Sequence, residues 1–245
     1  KDTCRKCNSP KLEMLGAGTQ RIASDIKKHL NIEPLRIDKD IMQKDSTFNS
    51  LSEIVQNEEM IVATKVITKS LSRKGNIGLC AFLNPDTNLH FPDFRSSERL
   101  FQELWNISEQ VMHDGLLIIQ TTMPESHIYR SFRKYDYDLF CKEEMLSRKT
   151  LSYPPFSRLT LITITSKIDM GKDIMNAVNA AGIDDGGGVE VIGPFKTSAK
   201  GTNHWKLLLK SPAKVRLHIY VHNLLKCLGS NKNLRVIVDV DPISI

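Results

Sequence analysis

The stretch LSYPPFSRLTLITIT (151–165) separates two halves of this sequence that follow different patterns. Pro154 and Pro155 cannot continue a helix, because each lacks the amide hydrogen and its ring clashes with the preceding turn. They place a domain boundary near 150–157. The run after them, RLTLITIT (158–165), alternates at period two, which predicts a strand with one buried face. Working downstream, the pattern predicts a helix over about 169–181, a turn at Gly186-Gly187-Gly188, strands at 189–192 and 205–210, a helix over 213–228 and the strand LRVIVDV (234–240). That order is β-α-β-β-α-β, the split βαβ plan of a small α+β domain over 151–245. The three glycines read as a loop and not as a phosphate cradle, since no helix opens straight after them.

Upstream of the prolines, short apolar strands alternate with amphipathic helices. Thr19 is the expected N-cap of a helix over 20–30, with Ile22, Ile26 and Leu30 on one side. Strand LRID (35–38), a helix around 48–57, strand MIVAT (60–64) and strand IGLCAFL (77–83) follow. A helix over 95–112 then leads to the apolar strand LLIIQT (116–121), and residues 125–149 read as two further helices. Strands alternating with helices, several without polar positions, predict an α/β domain with a parallel sheet covered on both faces over 12–150.

The 245 residues, 40% of them hydrophobic, suffice for one large domain or two modest ones. No apolar run approaches the ~18–20 residues that cross a bilayer, and the polar, basic start KDTCRKC is not a signal peptide. That start has no initiator Met, so the chain is expected to begin inside a longer one. Five cysteines form no disulfide framework, which favours a reducing cytoplasm, with Cys80 and Cys141 as buried free thiols. The net charge of +6 is uneven. Residues 1–150 carry 22 Lys/Arg against 21 Asp/Glu, whereas 151–245 carry 12 against 7. From Val191 to Val238 there are nine basic residues and no acidic one. Such a one-signed stretch is either a solvated face or a surface for polyanions: phosphate backbones or an acidic peptide.

Four groups of residues carry candidate chemistry. Cys4 and Cys7 have the CxxC spacing that lets two thiolates share a zinc ion, but tetrahedral zinc needs four ligands; the pair is either half of a site or two ordinary thiols. Lys214, His218, His222 and Lys226 recur at i, i+4 and stack as a cationic stripe on one helix, opposite an apolar face of Leu217, Val221, Leu224, Leu225 and Leu228. The stripe suits an acidic partner, or is a solvated face. Trp205, with Lys200, His204, Lys206 and Lys210 around it, is either a base-stacking platform or a half-buried core residue. Arg95 and Arg99, beside Asp93 and Glu98, form either an internal ion-pair cluster or a DNA-backbone contact.

Several stretches in order resemble the PriA family of primosomal helicases. They are the CxxC pair, GAGT (16–19) opening a helix, RIDKD (36–40), FLNPDTNLHFPDFRSSERLFQEL (82–104), EEMLSRKTLSYPPFSRL (143–159) and VDVDPISI (238–245). The resemblance implies a RecA-like second helicase lobe over 12–150 and the family's C-terminal domain over 151–245. Residues 1–11 would be the remnant of a zinc-binding knuckle, with Cys4 and Cys7 as its last ligand pair. It implies binding to forked and single-stranded DNA, and the residues expected to make those contacts in this sequence are Thr19, Thr64, Lys69, Arg95, Arg99, Lys200, Trp205 and Lys206. It also implies a grip on the acidic tail of single-stranded-DNA-binding protein, through Lys214 and His218 and along the stripe to His222 and Lys226, and other primosome proteins as partners. The family uses ATP and magnesium, and this sequence departs from it there. No G-x-x-x-x-G-K-[ST] loop occurs, the glycines expected around Thr64 and Lys69 are missing, and Gln110 and His113 stand at the arginine-finger positions. This chain alone is therefore expected not to hydrolyse ATP, and the alternative function is an inactive, helicase-derived adaptor for DNA and protein.

Overall fold

The structure, a computed structural model, describes residues 18–38, 58–65, 67, 77–90, 93–183, 188–199, 201–229 and 234–244. Two compact units make up the chain, residues 1–87 with 101–124, and residues 88–100 with 125–245.

In the first unit, helix α1 (Thr19–Leu30) ends on Asn31, whose left-handed backbone (φ 55°) lets its N–H donate to Lys27 O at 3.0 Å. Lys27, Lys28 and His29 in the last turn complement the negative end of the helix dipole. The N-cap is Gly18, not Thr19 as expected. Thr19 lies one position inside the helix and its Oγ1 donates to Asp38 Oδ2 at 2.8 Å instead. Strands β1 (Leu35–Ile37) and β2 (Ile61–Ala63) pair in parallel. The expected helix at 48–57 lies outside the described residues.

Strands β3 (Ile77–Leu83) and β4 (Val111–Gln120) form a second parallel pair, from Leu79 opposite Leu116 to Leu83 opposite Gln120. Gly115 is required at the irregularity in this pair: a Cβ there would stand 2.7 Å from Val111 Cγ1 and 2.9 Å from the Gly78 carbonyl. Among the described residues the parallel strands make two separate pairs and not one sheet. The expectation of cover on both faces also fails, since Leu79, Leu116 and Ile118 are 63%, 57% and 47% exposed. Helix α2 (Ser96–Ser108), which buries Leu100, Phe101 and Leu104, ends four residues before its expected close at 112. The cause is strand pairing. Ile77 N donates to Gln110 O at 3.1 Å, which draws Val111 into β4 although Leu100, Leu104, Ile107 and Val111 keep helical spacing.

In the second unit, helices α3 (His127–Arg133) and α4 (Tyr137–Thr150) precede the prolines, and Asp136 caps α4 by accepting from Leu139 N at 2.8 Å. Then come β5 (Arg158–Ser166), α5 (Gly171–Ile183), β6 (Glu190–Ala199), β7 (Thr202–Ser211), α6 (Lys214–Leu228) and β8 (Arg235–Val240). This is the β-α-β-β-α-β order expected from the sequence. The strands lie in the order β6-β7-β5-β8 with every neighbour antiparallel, so each β-α-β crossover is split by a strand between its two ends. The core lies between one face of the sheet and both helices: Ile162, Ile164, Trp205, Leu207 and Leu209 meet Ile174, Val178, Leu217, Tyr220 and Leu224. Tyr220 satisfies its buried hydroxyl by donating to Val178 O at 2.8 Å.

Strand β6 runs past its expected end at 192. A register shift between Ile192 and Phe195 absorbs Gly193-Pro194, after which pairing with β7 resumes to Ala199. Gly193 has φ +112°, and a Cβ would come 2.6 Å from Lys206 O, so the bulge depends on glycine. Residues 88–100 and both α3 and α4 belong with this sheet, so the compact unit is larger than the β-α-β-β-α-β domain within it.

Candidate nucleic-acid and peptide interface

Helix α6 begins after Ala213, with no side-chain cap and no acidic residue in its first turn, and ends at Gly229. Leu217, Tyr220, Leu224 and Leu228 are its buried residues. Tyr220 takes the place expected for Leu225, which is 38% exposed, while Val221 packs at the edge of the core. Lys214, His218, His222 and Lys226 are all exposed, as the i, i+4 spacing implies. Among the described residues none of the four has an ion-pair partner. Lys214 also sits where the helix dipole is positive, which is unfavourable for a cation and favourable for an anion.

Trp205 is not a stacking platform. It is 1% exposed and packs inside the core, because its partner Ile164 fixes it to the helix-covered face of the sheet. Lys206, one position on, points to the opposite face and is exposed. Lys210 is buried: its Nζ donates to Leu151 O at 3.0 Å, lies 2.9 Å from Glu190 Oε2 and sits over the Tyr153 ring. Lys200 lies outside the described residues.

The PDFR element is tied to the end of the chain. Arg95 Nη1 donates to Pro242 O (2.8 Å) and Ile243 O (3.1 Å). Arg99 donates to Asp93 Oδ2 and, through its other nitrogen, to Ile243 O, both at 2.7 Å. The cluster is thus internal, though its main partners are distant carbonyls and not only the neighbouring acids. Phe94 stacks on Tyr153 with ring centres 5.4 Å apart, and Arg148 lies over the Phe94 ring. Arg148 donates to Glu98 (2.9 Å) and Glu144 (2.8 Å), and Glu144 also contacts His127 Nε2 at 3.1 Å. Residues from PDFRSSER, from α4 and from YPPF therefore form one joint.

In the first unit Thr19 and Arg36 both engage Asp38, the latter at 2.9 Å. Thr64 is exposed, and its N–H donates to Ile37 O at 3.0 Å; Lys69, Cys4 and Cys7 lie outside the described residues. Asp86, missed by sequence reading, is 7% exposed and accepts from the hydroxyls of Thr121 and Thr122 and from Thr122 N, at 2.7–3.0 Å. It locks the turn after β3 to the end of β4. Of the two residues expected at finger positions, Gln110 is buried in the turn after α2 and His113 is exposed on β4. Among the described residues no group of three or more His, Cys, Asp or Glu side chains is placed to hold a metal. Nor is any helix among them long and apolar enough to cross a membrane.

Residues 149–243 match the family described as the primosomal protein N C-terminal domain. The chain is similar to the replication restart protein PriA of a Synechocystis strain, 28% identical over 99% of this chain and 30% of that protein. The Bacillus subtilis protein of that name is 27% identical over 98% of the chain and 31% of the relative. That of Borreliella burgdorferi is 32% identical over 67% and 25%. The chain thus spans about a third or less of the length of these relatives.

Proposed function

Because this chain belongs to the PriA family of replication restart proteins, carrying the family's C-terminal domain at residues 149–243, we propose that it is the DNA- and partner-binding part of such a protein and does not itself hydrolyse ATP. In this reading the first unit is a degenerate RecA-like lobe and Cys4 and Cys7 are one ligand pair of a zinc knuckle. The protein works in the cytoplasm at forks and single strands beside other primosome proteins. The α6 ridge receives the acidic tail of single-stranded-DNA-binding protein. The observation that carries the proposal is the ridge itself, four exposed basic side chains on one helix with no carboxylate paired to them among the described residues.

An acidic peptide brings carboxylates to the ridge's lysines, Lys214 and Lys226, and acceptors to the ring N–H groups of the two histidines between them. It also places its carboxylates at the positive end of α6. The test is a titration of an acidic tail peptide against the full chain and a Lys214→Ala/His218→Ala variant. We expect the variant to bind at least about fivefold more weakly, corresponding to ~1 kcal/mol for the loss of one exposed lysine contact and one imidazole hydrogen bond. Added salt should weaken the wild type more than the variant. Equal affinity and equal salt dependence in the two proteins would remove the ridge from the tail-binding role.

A further inference from the structure

The helices cover one face of the four-stranded sheet, so period-two alternation sends every second side chain to the other face. Part of that second face is closed, with Leu161 and Leu208 at 8% and 6% exposure and Lys210 donating to the carbonyl of Leu151. The rest is open. Two rows cross it at right angles to the strands, one of Phe195, Lys206, Thr163 and Ile237 and one of Thr197, His204, Thr165 and Arg235. Phe195 is 61% exposed and Ile237 47%. Lys206, Arg235 and Thr197 are exposed, while Thr163, Thr165 and His204 are half-buried, and Thr165 Oγ1 lies 3.2 Å from His204 Nδ1. Among the described residues neither Lys206 nor Arg235 has an ion-pair partner, and neither row contains a carboxylate. The first carboxylate on this face is Asp239, one row further towards the closed end.

We propose that this open sheet face is a single-stranded nucleic-acid platform, on which a base stacks on Phe195 while Lys206 and Arg235 hold the flanking phosphates. An exposed aromatic and an exposed aliphatic side chain at the two edges of these two rows, neither of which holds a carboxylate, leave apolar area in water that base faces would cover. Three strand spacings separate Phe195 from Ile237, about 14 Å, enough for two or three nucleotides laid across the strands. Each cation lies beside an apolar contact, Lys206 next to Phe195 across the β6–β7 pair and Arg235 two residues before Ile237 on β8. The hydroxyls of Thr163 and Thr165 and the His204 imidazole supply hydrogen bonds between the two edges. A duplex keeps its bases stacked on each other and cannot use Phe195, so the chemistry selects single strands. The ridge on α6 stands on a different surface, because α6 packs against the other face of this sheet.

This inference rests on the reading above in one respect, that the chain meets DNA. The experiment follows the anisotropy of a labelled oligothymidine of about 15 nucleotides, and of a duplex of equal length, with the full chain and four variants. Phe195→Ala should lose about tenfold in affinity for the single strand, within the range of one lost base–aromatic stack, and change little for the duplex. Phe195→Trp should keep the affinity, and its emission should be quenched on binding. Lys206→Ala/Arg235→Ala should lower the slope of log affinity against log salt by about 1.4, as expected for two phosphate contacts on a single strand. Single-strand binding by Phe195→Ala at wild-type strength, or a loss shared equally by the duplex, overturns the platform. Single-strand binding lost only in Lys214→Ala/His218→Ala also overturns it, while leaving the DNA-binding reading intact. A wild type that binds neither DNA sinks both together.

Discussion

Glu144 is a buried carboxylate between two partners, His127 and Arg148. Burial alone pushes its carboxyl up, but the hydrogen bonds from His127 and Arg148 outweigh that and hold it below the usual carboxylate range. For Arg148 burial acts downward, and the bonds to Glu98 and Glu144 overcome it and raise the guanidinium further. A carboxyl whose folded value lies below its unfolded one, ~4.3, gives stability that is complete above that value and is lost as pH falls through the folded one. Replacing Glu144 by Gln should therefore cost about 1–3 kcal/mol near neutral pH. In urea titrations that gap should shrink below about pH 4, and a gap constant from pH 7 to 3 would exclude the carboxylate as its source. At this scale the sequence was legible where contacts are local. The ridge needs only helix geometry, so its four residues follow from spacing. Trp205 does not, because the face it occupies is set by register with Ile164, far away in sequence.

Among elements, local pattern identified every strand and helix of the C-terminal domain, and it failed where a distant strand or a bulge decided the outcome. The end of α2 was misread because Ile107 and Val111 continue its apolar spacing, and only β3 draws Val111 away. The strand expected at 189–192 stops short of Gly193-Pro194, so Phe195 was not placed on a strand and the open sheet face went unseen. The link between PDFR and the segment after β8 spans 144–148 residues of sequence, and no periodicity reports it. Removing the guanidiniums in Arg95→Ala/Arg99→Ala should free residues 241–244 while leaving the sheet intact. Hydrogen exchange should then rise in that segment by about fivefold or more, equivalent to ~1 kcal/mol for partly exposed charge-assisted bonds. Unchanged protection there would mean that other contacts hold the segment.

At the scale of the molecule, the family match falls on residues 149–243, and the first unit is described by its own contacts. Thr19, Arg36 and Asp38 meet in the first unit, and Gln110 and His113 are the residues at the positions where the family resemblance leads one to expect arginines. The purified chain should show no DNA-stimulated ATP hydrolysis, and phosphate release above ~0.1 s⁻¹ would contradict that, since ordinary enzymes turn over at least tenfold faster. The sheet order has a mechanical consequence as well. Thr160 lies opposite Val240 and Thr165 opposite Arg235, so the chain enters β5 and leaves β8 at the same end of one antiparallel pair. Ladder bonds in such a pair run perpendicular to the strands. Tension applied between residues 158 and 240 therefore loads those bonds one at a time, like a zipper, instead of shearing them together. Under such a load β8, an edge strand, would peel from β5 starting at its Val240 end.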